Sequence, residues 1–186
     1  MLFSSFLPSV NEPDPLRLAL LDAILHDCKK AFPDLHFELR LDRKIINAQA
    51  ILLEERRCVL IDGGVGLHPT LGEHSLTFAF LHEAGHHPAS GPRSPFNVTL
   101  KCDCAADRWA TTEGADILHR MSGRRLQIAV ALRELDCLMR ELGELSNYSD
   151  ERPSTCWNGQ WSQRKQAIAA SLGRMLTNCE LMRPVH

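Results

Sequence analysis

No CxxC pair occurs in this chain, no stretch approaches the roughly 20 apolar residues needed to span a bilayer, and neither sign of charge prevails. Each absence excludes a class of protein. Twenty-one Lys and Arg against 23 Asp and Glu leave a net charge of −2 and a pI near 6.5, which gives no reason to expect a nucleic-acid or anionic-membrane surface. The seven cysteines (Cys28, Cys58, Cys102, Cys104, Cys137, Cys156 and Cys179) are odd in number and irregularly spaced. Cys102 and Cys104 lie two apart, a spacing that points them away from each other on a helix. A reduced, cytoplasmic setting accounts for them more simply than a disulfide framework. The opening residues, MLFSSFLPSVNEPDP, carry no basic n-region and no long apolar h-region, so they do not read as a signal peptide. With no internal repeat, low-complexity tract or dividing linker, one soluble domain over 1–186 is expected.

Periodicity then orders the chain. Residues 1–13 read as an irregular N-terminal arm. Asp14-Pro15 is a helix start, with Asp14 as N-cap and Pro15 at the first helical position. Apolar residues from Leu16 to Leu25 carry that helix to about 31, where Pro33 ends it. Leu35, Phe37, Leu39 and Leu41 alternate as a half-buried strand, and β runs follow at 45–53 and 57–62 with a hairpin connection at Glu54-Glu55-Arg56. A small antiparallel sheet is expected here, after which Gly63-Gly64 releases the chain. Residues 65–74 read as a turn, with Thr70 or Ser75 as N-cap and with His68 and His74 exposed. One helix then reaches about 87, another runs from Asn97 or Thr99 to about 121, a long one covers about 124–146, and a last one covers 161–180 after a loop at 147–160. The fold class is α+β, with a helical C-terminal part over 122–186. Trp109, Trp157 and Trp161 are expected to pack in the core.

The chemistry concentrates in the helix ending at 87. His82-Glu83-x-x-His86 puts two imidazoles one turn apart on one face, where both reach the same metal ion, and Glu83 can reach a water bound to it. Leu76, Phe78, Ala79, Phe80 and Leu81 make the approach apolar, and Pro88 and Gly91 close it. A catalytic zinc takes three protein ligands, so one more must come from a later element. Asp103, Asp107, Glu113, His119, Cys102 and Cys104 are the candidates.

The order of an NA-containing strand (Asn47-Ala48-Gln49-Ala50), an HExxH helix and the segment Asp103-Cys104-Ala105-Ala106-Asp107-Arg108-Trp109-Ala110 resembles the minimal gluzincin-type peptidases, the HtpX-like proteases and the ImmA/IrrE family among them. The resemblance covers about residues 44–110. It implies a zincin-like fold, with the sheet against the HExxH helix, and a zinc ion held by His82, His86 and Asp103. It makes Asp107 a carboxylate behind a ligand His and Glu83 the general base. The family carries Glu where this chain has Asp103, one methylene shorter, so the two helices must approach closely, which the small Ala105 and Ala106 permit. The resemblance also implies a protein or peptide substrate paired to an edge strand, at 45–53 or 57–62. A small chain without a membrane segment fits ImmA/IrrE better than the HtpX-like proteases.

The activity so implied is zinc-dependent peptide hydrolysis through an activated water. Tyr148, His119, His87 and several arginines are open as the second oxyanion stabiliser, although His87 projects about 100° from His86 and does not share its ion. The competing reading is a non-enzymatic interaction protein that keeps a zincin-like metal site and presents its later helices to a partner.

Overall fold

The computed structural model describes the backbone of residues 2–6 and residues 13–94, 97–143 and 161–172. The first strand, β1 (Leu2–Phe6), lies inside the segment read as an irregular arm and pairs antiparallel with the start of β3 (Ile45–Leu53). No periodic signal marks five residues isolated at a terminus. β4 (Arg56–Asp62) runs antiparallel to β3, and β2 (His36–Arg40) lies parallel to β4. The four strands stand in the order β1-β3-β4-β2.

This is a mixed sheet, not the antiparallel one expected. Alternation sets which face a strand buries, but not the direction of its neighbour. The expected edge is narrowed with it. β4 is interior, which removes 57–62, while β1 joins β3 only at Ile45–Asn47 and leaves the rest of that strand paired on its β4 side. The hairpin itself is where it was read. Glu54 and Glu55 link Leu53 to Arg56 with φ of 47° and 68°, the pair of positive angles that a two-residue turn needs to follow strand twist.

Helix α1 (Pro15–Ala31) starts where the sequence placed it, with Asp14 accepting from the Leu16 N–H at 3.0 Å and Pro15 following. Its buried stripe, Leu21, Ile24, Cys28 and Ala31, enters the core, where burial pushes the Cys28 thiol up to about 12. Gly63-Gly64 does not release the chain. It opens the single turn α2 (Gly63–Gly66), whose backbone lies so close to Ile45 that a Cβ on Gly64 would stand 2.2 Å from that residue's carbonyl. Arg17 of α1 then binds the Gly66 carbonyl at 2.7 Å and the His68 carbonyl at 2.8 Å. His68 is accordingly buried, contrary to expectation, and burial lowers its pKa.

Helix α3 (Glu73–Gly85) crosses the middle of the domain with Ser75–Phe78 and Phe80–Gly85 all buried. Neither Thr70 nor Ser75 is its N-cap. Gly72 holds that position, and Glu134 of α6 (Ile128–Glu141) accepts from the Gly72 N–H at 2.9 Å and the Ser75 hydroxyl at 2.7 Å. A cap supplied from a distant helix leaves no local trace.

The helix expected to reach 121 is two, α4 (Asp103–Thr111) and α5 (Glu113–Ser122), broken at Thr112. The Trp109 indole packs against both Gly85 and Gly114; a Cβ on Gly114 would meet it at 2.6 Å. The long helix is shorter than read, and α7 (Trp161–Leu172) closes the described fold. The loop at 147–160 and the end of the last helix lie outside the described residues, as does Trp157, while Trp109 and Trp161 are buried. Among the described residues no helix is long and apolar enough to cross a membrane.

Candidate metal centre

The last turn of α3 and the first residue of α4 meet at one point. Among the described residues, His82, His86 and Asp103 bring one ligand atom each to within 4.8 Å of one another. The two Nε2 atoms are 3.2 Å apart, and the Asp103 Oδ1 lies 3.8 Å from that of His82 and 3.6 Å from that of His86. Donors 2.0–2.1 Å from a tetrahedral ion lie roughly 3.3 Å apart, so the three atoms stand close to the spacing of three ligand corners.

The opposite side of each ring is occupied. His82 Nδ1 sits 2.8 Å from Asp107 Oδ1, and His86 Nδ1 sits 2.7 Å from the Lys101 carbonyl. Both acceptors take a proton from Nδ1, which leaves both Nε2 lone pairs directed at the shared point. The His86 clip has a local cause. The Lys101 N–H also donates to the His86 carbonyl at 2.8 Å, and an isolated bridge between Arg93 and Lys101 closes the returning loop. Asp103 follows two residues later, so the loop that fixes one candidate ligand delivers the next.

The short Asp103 reaches because the helices cross closely. A Cβ on Gly85 would lie 2.9 Å from the Ala106 carbonyl oxygen. The glycine inside the HExxH motif admits the approach, together with the small, fully buried Ala106.

Glu83 is 5 % exposed, and its carboxylate oxygens lie 3.9 Å from His82 Nε2 and 3.8 Å from His86 Nε2. It borders both Nε2 atoms from the α3 side without joining the three-atom group. The other sequence candidates are elsewhere. Glu113 and His119 are exposed on α5, with His119 Nδ1 against the Gly123 carbonyl. His87 turns to the Cys58 carbonyl of β4. Cys102 and Cys104 flank Asp103 in sequence but do not join the three-atom group. Tyr148 lies outside the described residues. Asn47 of the NA strand is buried and donates to Asp62 at 2.9 Å, an anchor between β3 and β4 and not a site contact.

Arg164 is the residue that spacing did not reveal. From α7 it grips Asp107 with two parallel bonds of 2.7 Å, Nε to Oδ2 and Nη2 to Oδ1, and is itself 3 % exposed. Burial would raise the Asp107 carboxyl, but Arg164 and His82 outweigh it and hold it below the usual carboxylate range. Burial would likewise lower His82, and Asp107 outweighs that and holds it above its ordinary value. Burial lowers His86, which has no carboxylate so close. Arg164 Nη1 faces Asp103 Oδ2 at 3.9 Å. The guanidinium thus stands behind two of the three converging side chains.

Charge bookkeeping fits a dication at this point. Arg164 balances Asp107, and Asp103 and Glu83 leave two negative charges for a divalent ion to meet. No protein-family model, curated protein or solved structure matches the chain, so these distances and this charge pattern carry the functional reading.

Proposed function

We propose that this chain is a zinc-dependent metallopeptidase. Zinc would be held by His82, His86 and Asp103, and Glu83 is the general base. The observation that carries the reading is the convergence of the two Nε2 lone pairs with Asp103 Oδ1, each imidazole being turned by an acceptor on its far side. A structural zinc site is usually closed by four Cys or His ligands; two imidazoles and one carboxylate with a free acid beside them suit hydrolysis better.

A zinc ion supplies Lewis-acid polarisation of a carbonyl and acidifies water. The protein's own part follows from its side chains. Glu83 accepts a proton from the water that attacks the peptide carbonyl carbon, then delivers it to the amide nitrogen as the C–N bond breaks. Asp107 and the Lys101 carbonyl retain the Nδ1 protons, so neither imidazole rotates or changes tautomer during the cycle. Arg164 keeps Asp107 ionised for that task.

Metal analysis of four proteins tests the assignment. Wild type and Glu83→Gln should each carry about one zinc per chain, and His82→Ala and Asp103→Ala should lose it. Cleavage of a mixed peptide pool should fall by roughly 10²–10⁴-fold in Glu83→Gln. A metal-free wild type overturns the proposal. Full metal with no cleavage by wild type favours an interaction protein with a zincin-like site.

A further inference from the structure

We infer that the apolar cavity bordered by His82 and Glu83 seats one medium-sized aliphatic side chain of the substrate, on the residue beside the bond that is cut. The inference rests on the peptidase reading and deepens it. The cavity lies between α3, β3 and α6. Phe78 and Ala79 line it from α3, Ile46 from β3, and Leu135, Leu138 and Met139 from α6, with Trp161 of α7 closing one side. Its polar residues are His82, Glu83 and Arg164, all of them part of the candidate centre.

Protein interiors leave few voids larger than a water molecule, so an apolar space opening onto buried charged groups calls for an occupant. Water is a poor one, because an apolar wall offers it no hydrogen-bond partners. A chain entering past His82 and Glu83 would set its backbone against those groups and its side chain against the apolar walls. Size narrows the choice. The cavity holds about 90 Å³, less than the roughly 150 Å³ apolar cavity that accepts benzene, so an aliphatic side chain suits it better than an indole. Ala79 bears on access directly. It is half-buried and lies three and four residues before His82 and Glu83, on the same face of α3.

The test separates binding from cleavage. Zinc-supplied Glu83→Gln protein is titrated with fluorescent hexapeptides in which each position in turn is Ala, Ser, Leu or Trp. One position should favour Leu over both Ala and Ser by about 10-fold or more, with Trp no better than Ala. Ala79→Met on that background fills the cavity and should erase the preference while retaining zinc. Leu135→Ala, which enlarges the cavity, should move the preference toward Trp and keeps the test decisive if Ala79→Met fails to fold.

Cleavage by protein with Glu83 intact is scored separately. Flat affinity at every position, as expected if another segment of this chain or a second copy fills the cavity, overturns the inference, and cleavage alongside it leaves the peptidase reading standing. Leu-selective binding without cleavage leaves an apolar side-chain seat but overturns the peptidase reading and, with it, the placement beside a cut bond. Neither binding nor cleavage overturns both.

Discussion

The converging side chains of α3 and α4 and the clasp that holds them from α7 are specified by different kinds of information. His82, Glu83 and His86 are placed by helical pitch alone, and Asp103 arrives through a short loop whose Lys101 clips His86. Arg164 comes from 57 residues beyond Asp107 and has no motif around it. Its helix is tied down a second time by Asp136 of α6, which accepts from Trp161 Nε1 at 2.9 Å and from Lys165 at 2.8 and 2.9 Å. The candidate metal-holding residues are therefore local in sequence while the support behind them is not. The two regions also differ in what a fault would do. On the proposed metal reading, loss of His82, His86 or Asp103 should abolish metal binding and leave the fold, whereas loss of the clasp should weaken the fold first.

The largest effect is expected at Arg164. Arg164→Met strips Asp107 of its buried counter-ion and leaves it facing only His82, so the carboxylate must stay buried and unbalanced or take up a proton, and breaking a buried pair from one side costs about 3–5 kcal/mol. Denaturant unfolding of the zinc-free protein measures it without interference from ligand binding. A loss under about 1 kcal/mol would place the clasp on the margin of the structure and dissolve the contrast drawn above.

The double variant Asp107→Leu/Arg164→Met sharpens the contrast. Removing both charges lifts the penalty of an orphaned ion, so stability should return to near the wild-type value. Metal affinity should not return, because His82 Nδ1 has lost its acceptor. Loss of such a partner lowers affinity about 10–100-fold. Competition with a zinc chelator reads this directly. Recovery of both properties would mean that Asp107 orients nothing.

The same division explains how much was legible beforehand. Asp14-Pro15, the alternation in β2 and the HExxH spacing are each decided within a few residues, and the structure has them in place. His68 looked exposed because the residues enclosing it, Arg17 among them, come from elsewhere in the chain. The break at Thr112 lies between Trp109 and Gly114, which pack on each other, and the parallel pairing of β2 follows from a chain path that places β4 between β2 and β3. Asp103 was legible as one ligand candidate among several. The resemblance put it ahead of Glu113, and the Gly85–Ala106 crossing that lets its short side chain reach is a property of two helices together.

The smallest effect belongs to Asp136, and pH isolates it. Burial would raise its carboxyl, but bonds from Lys165 and Trp161 outweigh burial and hold it below its ordinary value. A carboxyl depressed in the folded state stabilises fully above its unfolded value of about 4 and loses that contribution as pH falls through the lower folded value. Asp136→Asn keeps an oxygen for Trp161 and gives up only the ionic part, whose partners Lys165 and Arg140 are 36 % and 66 % exposed. Screening at those partners limits the loss at pH 7 to about 0.5–1 kcal/mol. Below about pH 4 wild type begins to lose the same ionic part, so the two unfolding free energies should converge as the pH falls further. A gap that persists unchanged down to pH 3 would show that the α6–α7 tie works through shape and neutral hydrogen bonds. The hold of α7 on the rest of the fold would then depend on charge chiefly at Arg164.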